Sequence, residues 1–299
     1  MAERVIDTHV HVWDFDQAEY TWLKGDTSIL NRSYDLEELE PDRVAAGITE
    51  GILVQAANNP EDTDWMLRVA ADHDWIKGVV GWLPLQDPAA TAGILEKGYA
   101  TSRYFKGVRH LIHNEADPGW LLQEPVLESL RLLARYDLPY DVVGIIPAHI
   151  RTVLEVMEKV PELRLVFDHL NQPPILSKER FGQWGELMQA AAGHPGCYVK
   201  ISGLGTASGN FQGWNAVDLE PYIGFALQYF GEDRCLFGGD WPVSLLAGSY
   251  QRIWKTYRDL LRDLLEEEGR EKVLYKNAER FYKLPAASDK PQVAKKTAI

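Results

Sequence analysis

The sequence predicts a (β/α)8 barrel, the TIM-barrel fold, and three observations support this fold class. Short runs rich in β-branched residues recur eight times, and helical periodicity rather than a second strand follows each run. Parallel strands need a crossover helix between them, and eight such units fit a chain of 299 residues. The alternative is an open doubly wound sheet, but VIDTHVHVWDF near the N-terminus contains no glycine-rich phosphate loop.

The predicted strands and helices alternate along the chain. Strands are expected at 5–13, 51–57, 76–85, 105–113, 139–145, 163–170, 197–204 and 235–243. Helices are expected at 35–46, 60–73, 87–99, 121–136, 148–159, 177–192, 217–229 and 249–268. Several of these helices have Asp, Glu or Pro at the start, which favours a helix N-terminus there.

Two segments fall outside the eight-fold pattern. Residues 14–34 form a long loop after the first strand, and in a barrel this loop, with Trp22 in its middle, would lie over the catalytic mouth. Residues 270–282 predict an extra C-terminal helix. Residues 285–299 are small, polar and lysine-rich without periodicity, so we expect a disordered tail after a single domain at 1–284.

Composition excludes several function classes. The chain is 45% hydrophobic and 25% charged, which is typical of a globular protein. Its net charge of -13 disfavours nucleic acid and anionic membranes as partners. With no membrane-length apolar run and no signal-peptide pattern, we expect a cytoplasmic protein. Two cysteines, Cys197 and Cys235, are expected to be reduced core thiols.

Polar residues gather at the predicted C-terminal ends of the strands, where (β/α)8 enzymes place their chemistry. His9 and His11 are two residues apart on the first strand, so both imidazoles face the same side, as metal ligands would. The candidates on later strands are Lys106, Arg109, His110, His113, Asp168, His169, Lys200, Ser202, Asp240 and Trp241. An isolated HxH pair on an outward face would merely be solvated, but the other clusters favour a functional site.

Three polar residues have structural explanations. His73 is expected at a helix C-terminus, where the helix dipole favours a histidine. His149 opens a helix after Pro147 and is expected to be structural, although it lies above the fifth strand. Asp7 could equally anchor the backbone of the first strand.

The motifs VIDTHVHVWD, KGVRH, FDHLNQPP, YVKISGL and FGGDWPVS, in that order, resemble those of the amidohydrolase superfamily. The resemblance is strongest to its branch of amidohydrolase-related lactonases and spans about residues 4–282, including NAERFY in the last helix. Within that branch the chain is most similar to sugar-acid lactonases that act on L-fuconolactone or L-rhamnonolactone. The resemblance therefore implies a lactonase of carbohydrate metabolism that hydrolyses a six-carbon or 6-deoxy aldono-lactone.

The resemblance also implies roles for single residues. His9 and His11 match the metal pair of the first strand. His169 matches the histidine of the sixth strand, and Asp240 matches the aspartate that activates the hydrolytic water. Binuclear members also carry a carboxylated lysine at the end of strand 4 and a histidine at the end of strand 5. Here Lys106 stands at the start of strand 4 and YDVVGI has no histidine, so a binuclear centre is not expected.

What remains is one divalent ion, or a site that works without metal. The ligands would be His9, His11 and Asp240, with or without His169, and imidazoles with one carboxylate favour zinc. A lactone is an activated ester, so without an ion His9, His11 and Arg109 would stabilise the developing oxyanion. The expected catalytic residues are Asp240, His169 and Arg109. The expected substrate-binding residues are Trp22, Trp82, His110 and Trp241.

Three alternatives stay open from the sequence. A zinc-dependent decarboxylase of the same superfamily would use Arg109 to hold a carboxylate, but it usually needs a further histidine on strand 5. A non-catalytic sugar-binding module would stack its tryptophans on pyranose rings, but it has no need of the polar strand ends. A lactonase for an anionic lactone would need a cluster such as Arg109, Lys106 and Lys200 at the mouth, whereas the net charge of -13 favours a neutral substrate.

Overall fold

The computed structural model describes residues 3–285 and contains one sheet of eight parallel strands in chain order. The strands are β1 (Ile6–Val10), β2 (Glu50–Val54), β3 (Ile76–Gly81), β4 (Phe105–His110), β5 (Tyr140–Val142), β6 (Leu165–Phe167), β7 (Cys197–Ile201) and β8 (Cys235–Phe237). The ring closes between β8 and β1, where His11 N donates to Trp241 O at 2.7 Å and Asp240 N donates to His9 O at 2.8 Å. The predicted (β/α)8 barrel is therefore confirmed.

Helices follow the strands, as the alternation predicts. They are α1 (Leu36–Ala45), α2 (Pro60–Asp72), α3 (Pro88–Glu96), α4 (Glu124–Arg135), α5 (Pro147–Lys159), α6 (Gly182–Ala192), α7 (Leu204–Ala207), α8 (Ala216–Phe230), α9 (Tyr250–Leu264), α10 (Glu267–Glu271) and α11 (Asn277–Tyr282). Side chains that accept a first-turn backbone N–H cap several of them: Asp35, Asn59, Asp87, Asn215 and Ser249. Two of these caps, Asp35 and Asp87, belong to the Asp, Glu and Pro signals that predicted the helix starts.

Most strands end earlier than predicted. After β6 the backbone takes positive φ from His169 to Gln172, and after β8 it does so at Asp240, so the extended conformation cannot continue. The helix predicted at 177–192 begins only at Gly182, because Lys178 and Phe181 also have positive φ. The short helix α7 was not predicted, and the helix predicted at 249–268 is divided into α9 and α10.

The two segments outside the eight-fold pattern take defined positions. An antiparallel bridge between Trp13 and Tyr34 ties together the ends of the loop at 14–34. The predicted C-terminal helix is present as α10, a π-helical turn at Lys272–Lys276, and α11. The predicted disordered tail lies, from residue 286 onward, outside the described residues.

The core has two compartments. The larger one contains the outward side chains of the strands and the inner faces of the helices. The smaller one fills part of the barrel interior with strand residues such as Ile6, Val80 and Leu236, and Phe281 and Tyr282 of α11 pack against them. Both cysteines are buried and free, and among the described residues no helix has the length and apolarity to cross a membrane.

Candidate active site

Three buried side chains converge at the C-terminal end of the barrel. Atoms of His9, His11 and Asp240 that can bind a metal all lie within 4.8 Å of one another. His9 Nε2 is 3.1 Å from His11 Nε2, and Asp240 Oδ1 is 3.8 Å from His9 Nε2 and 3.5 Å from His11 Nε2. Tetrahedral zinc ligands, with bonds of about 2.0–2.2 Å, stand at similar separations of about 3.3–3.6 Å.

A hydrogen bond behind this group leaves the inner nitrogen of His11 without a proton. His11 Nδ1 lies 2.7 Å from Val54 O, and only a protonated Nδ1 can donate to a carbonyl, so His11 Nε2 carries a lone pair. Burial lowers the pKa of both His9 and His11, so both rings are neutral near pH 7. A lone pair, a second imidazole nitrogen and a carboxylate oxygen thus face one point, and this donor set fits a divalent cation.

The backbone around Asp240 is shaped for close approach. Asp240 itself has φ 57°, a conformation that is costly for most residues and that clusters at functional sites. Gly203, at φ 59°, lies between His169 and Asp240, two of the expected catalytic residues. A Cβ at this position would stand 2.6 Å from His169 Nδ1 and 2.8 Å from Asp240 Oδ2, so only glycine fits.

His169 begins a run of four residues with positive φ that ends at Gln172. Its Nδ1 is 2.9 Å from Ser202 Oγ, and its Nε2 is 3.9 Å from Asp240 Oδ1. Trp184 donates from Nε1 to Leu170 O at 2.8 Å and so holds the strained turn in place. The turn aims His169 and Gln172 into the same cavity, because both line its wall.

The cavity above the three converging side chains has a volume of about 280 Å³. Its lining residues are His11, Trp13, Trp22, Ala56, Arg109, Leu111, His113, Val143, Ile145, His169, Gln172, Thr206, Asp240 and Val243. Trp22 comes from the loop at 14–34, and its Nε1 donates to Ala56 O at 2.8 Å. The long loop therefore forms part of the cavity wall.

Of the four residues predicted to bind substrate, only Trp22 lines this cavity. Trp82 Nε1 lies 3.0 Å from His110 Nδ1, and His110 stacks on Trp120 with ring centroids 4.0 Å apart. His110 neighbours Arg109 on β4, and strand alternation turns these two side chains to opposite faces. Trp241 is buried and packs edge-on against Tyr34 at 5.4 Å.

The cationic residues are less available than the sequence suggests. Arg109 lines the cavity, but its Nη1 is 3.0 Å from Asp168 Oδ2 and its Nη2 donates to the carbonyl of Gln55. Lys200 is fully buried and lies 2.5 Å from Asp141 Oδ2. Lys106 lies at the start of β4, where its side chain faces Gly78. The cationic cluster that an anionic substrate would need does not form at the mouth.

Asp7 takes the structural role considered for it. Its Oδ1 accepts from His9 N at 2.9 Å and from Gly239 N at 2.8 Å, and its Oδ2 accepts from Tyr250 Oη at 2.6 Å. It therefore links β1 to the segment before Asp240 and to α9. His149 is also tied to the backbone, since Ile145 N donates to its Nδ1 at 3.0 Å.

Sequence reasoning listed His113 as a strand-end candidate without giving it a role, and it missed two further polar residues of the wall, Gln172 and Thr206. They lie in the loops after β4, β6 and β7, and loops at this end of a barrel are the expected source of contacts with substrate. These segments have no regular alternation of buried and exposed residues. The sequence could therefore predict which segments line the site, but not which of their side chains face the cavity.

The pKa of His113 tests whether this part of the cavity wall is shielded from water. Burial lowers its pKa to about 4, below the ordinary value near 6.5. Because the unfolded chain binds this proton more readily, the stability contributed by neutral His113 is complete above about pH 6.5 and is lost as pH falls toward 4. We expect His113→Gln to make the acid decline of unfolding free energy shallower, as measured by urea unfolding at pH 7 and pH 4.5. Equal declines in the variant and the wild type would show that His113 is not held neutral.

Comparisons with known proteins agree with this geometry. The amidohydrolase family profile matches residues 6–284. The L-fucono-1,5-lactonase of Burkholderia ambifaria is 32% identical over 287 residues, which cover 95% of this chain and 97% of that protein. The L-fucono-1,5-lactonase of Burkholderia multivorans is 29% identical over 292 residues, with coverages of 95% and 97%.

A solved structure extends the likeness to three dimensions. It is the crystal structure of an amidohydrolase from Burkholderia multivorans with bound zinc, which is 29% identical to this chain. The TM-score is 0.86, and the match covers 94% of this chain and 99% of that one. The family profile spans nearly the whole barrel. The chain therefore belongs to the amidohydrolase family, as its strand-end motifs indicated.

Proposed function

We propose that this protein hydrolyses a neutral sugar lactone to the sugar acid, and that the substrate is a six-carbon or 6-deoxy aldono-lactone. The observation that carries the proposal is the placement of Asp240, buried beside His9 and His11, in the wall of a small cavity. A volume of about 280 Å³ is near the lower end of ligand pockets, which suits a single sugar ring. Two relatives that match almost end to end are L-fucono-1,5-lactonases, which supports the lactone class.

The chain's own residues supply a base and its surroundings. Asp240 takes a proton from water as the water oxygen bonds to the lactone carbonyl carbon. The ring C–O bond then breaks, and the departing ring oxygen receives the proton, giving the open hydroxy acid. Oδ1 of Asp240 faces the two histidines, which leaves Oδ2 free to carry the proton between these steps.

We propose zinc as the ion that His9, His11 and Asp240 would hold. A divalent ion there would act as a Lewis acid toward the carbonyl oxygen. His169 lies beside Asp240 on the cavity wall, where its ring can donate to or accept from a bound hydroxyl group.

The charge of the wall favours a neutral substrate. Of the described residues that line the cavity, Arg109 is the only one with a permanent positive charge, and Asp168 neutralises it. Apolar side chains such as Val143, Ile145 and Val243 form much of the remaining wall. A substrate carboxylate would therefore lose its hydration without gaining a free cationic side chain as its partner. The same argument weakens the decarboxylase alternative, whose substrate carries a carboxylate and whose β5 histidine is absent here.

The test of this proposal compares lactones of similar ring size. We expect kcat/KM for six-carbon and 6-deoxy sugar lactones, measured by proton release, to exceed that for a dicarboxylate lactone by tenfold or more. Tenfold corresponds to ~1.4 kcal/mol of transition-state binding. A dicarboxylate preferred by that factor would overturn the neutral-sugar assignment and leave lactone hydrolysis in place. Absence of hydrolysis across the whole panel would overturn both.

A further inference from the structure

A network of four charged side chains lies in the barrel interior behind His9. We call Arg109, Asp141, Asp168 and Lys200 the interior charge network, and each is at most 3% exposed. Lys200 Nζ is 2.5 Å from Asp141 Oδ2 and 3.0 Å from Asp168 Oδ1, and Arg109 Nη1 is 3.0 Å from Asp168 Oδ2. Two positive and two negative groups make the network neutral.

Stability does not explain these residues. Taking charges out of water costs several kcal/mol per ion, so buried ion pairs are often no more stabilising than apolar side chains of similar size. The neighbouring layer of the same barrel interior is built from apolar residues such as Ile6, Val80 and Leu236. The network is also hydrogen-bonded to the last helix, because Tyr282 of α11 donates from Oη to Asp141 Oδ2 at 2.7 Å. Its presence points to a role in the site that it adjoins.

The network meets the site at His9. One ring nitrogen, Nε2, faces His11 and Asp240, and the other, Nδ1, is 3.4 Å from Asp168 Oδ1. Among the described residues, no donor meets this Asp168 oxygen with hydrogen-bond geometry, although Lys200 Nζ lies 3.0 Å from it. A proton on His9 Nδ1 would place a polar N–H beside this oxygen.

Two cationic side chains contact the ring nitrogens of His9 and bear on where its proton lies. Arg109 Nη1 lies 3.3 Å from His9 Nε2. A guanidinium group can only donate, so this contact favours an accepting Nε2 and a proton on Nδ1. Lys200 Nζ, 3.4 Å from His9 Nδ1, can also only donate and favours the opposite tautomer, but Asp141 Oδ2 at 2.5 Å and Asp168 Oδ1 at 3.0 Å are its closer, charged acceptors. The competing arrangement puts the proton on His9 Nε2, directed at His11 Nε2 3.1 Å away, and would turn an N–H of His9 toward an N–H of Arg109.

We propose that Asp168, held by Lys200 and Arg109, is a positioning residue that keeps His9 in its Nδ1–H tautomer with Nε2 directed at Asp240. Its consequence for metal binding rests on the proposed function. Carboxylates that accept the outer N–H of a metal-binding histidine fix its tautomer and orientation, and their loss typically lowers metal affinity or activity by about 10–100-fold. The sequence marked Asp168 as a strand-end candidate but did not show that it lies behind His9.

Two double variants separate this role from a general effect of buried charge. Asp168→Asn with Lys200→Met removes the carboxylate that faces His9, and the remaining Asp141 and Arg109 keep the interior neutral. Asp141→Asn with Lys200→Met is the matched control, because it also removes one pair of opposite charges but keeps Asp168 and its contact with Arg109. Circular dichroism checks that both full-length variants fold. If the first double variant does not fold, Asp168→Asn alone takes its place.

The first readout is the tautomer of His9, from long-range 1H–15N spectra of histidine-labelled protein prepared without metal, with His9→Gln used to assign the signal. The second is zinc affinity by chelator competition. We expect Nδ1–H in the wild type and in the control. In the Asp168 variant we expect that preference to be lost and zinc affinity to fall about 10–100-fold.

Either of two results would overturn the proposal: His9 protonated on Nε2 in the wild type, or the same tautomer in the wild type and both variants. Loss of the tautomer in the Asp168 variant alone, with no zinc bound by the wild type, would support the positioning role. That result would instead contradict the proposal that His9, His11 and Asp240 hold zinc.

Discussion

Asp240→Asn is expected to lower kcat and kcat/KM together by about 10²–10⁴-fold, the usual contribution of a general base. Asparagine has the same shape as aspartate but cannot take a proton from water. The fold should be retained, because Asp240 binds its surroundings through the backbone: its N–H donates to His9 O at 2.8 Å and its carbonyl accepts from Ser244 N at 2.8 Å. Circular dichroism and thermal unfolding check this second expectation.

The matched control for this variant is Asp62→Asn. Asp62 is also fully buried, accepts hydrogen bonds from Tyr20 Oη and Ala56 N, and does not line the cavity. We expect this variant to lose stability but to keep turnover, measured by proton release from the best lactone of the panel. If Asp240→Asn retains more than about a tenth of the wild-type kcat, Asp240 is not the base, since such groups contribute at least about 10².

The order of elements was predictable because it depends on patterns that extend over many residues. Several strand runs are largely apolar, as in VVG of β3 and LVF of β6, and many helices show their own period and a capping residue. The strand ends were not predictable. His169 and Asp240 end the extended backbone by adopting positive φ, and that conformation depends on tertiary contacts such as Trp184 with Leu170.

Some residues of the candidate site could be predicted from the sequence and others could not. His9 and His11 follow from a spacing of two on one strand, whereas Asp240 and His169 stood out through the motifs around them. Asp7 has the same spacing from His9 but binds Tyr250 of α9, a contact that strand spacing alone does not predict. The ion pair of Arg109 could not be predicted from the sequence, since its partner Asp168 is 59 residues away along the chain.

The second large effect concerns metal binding. We expect the protein to bind at most one divalent ion per chain, because β5 (Tyr140–Val142) carries no histidine and Lys106 lies at the start of β4. Elemental analysis and zinc titration of the full chain measure the stoichiometry. Two tightly bound zinc ions per chain would show that the metal ligands are wrongly assigned.

His11→Gln should weaken zinc binding by more than about 100-fold, because it removes a direct ligand, and even residues behind a ligand contribute about 10–100-fold. Chelator competition measures the change. His110→Gln is the matched control, since His110 is also a buried histidine at a strand end but is bonded to Trp82 and Glu115 and lies outside the group of three. If both variants bind zinc as the wild type does, His11 is not a ligand. If the wild type keeps full activity after prolonged chelation, catalysis needs no ion.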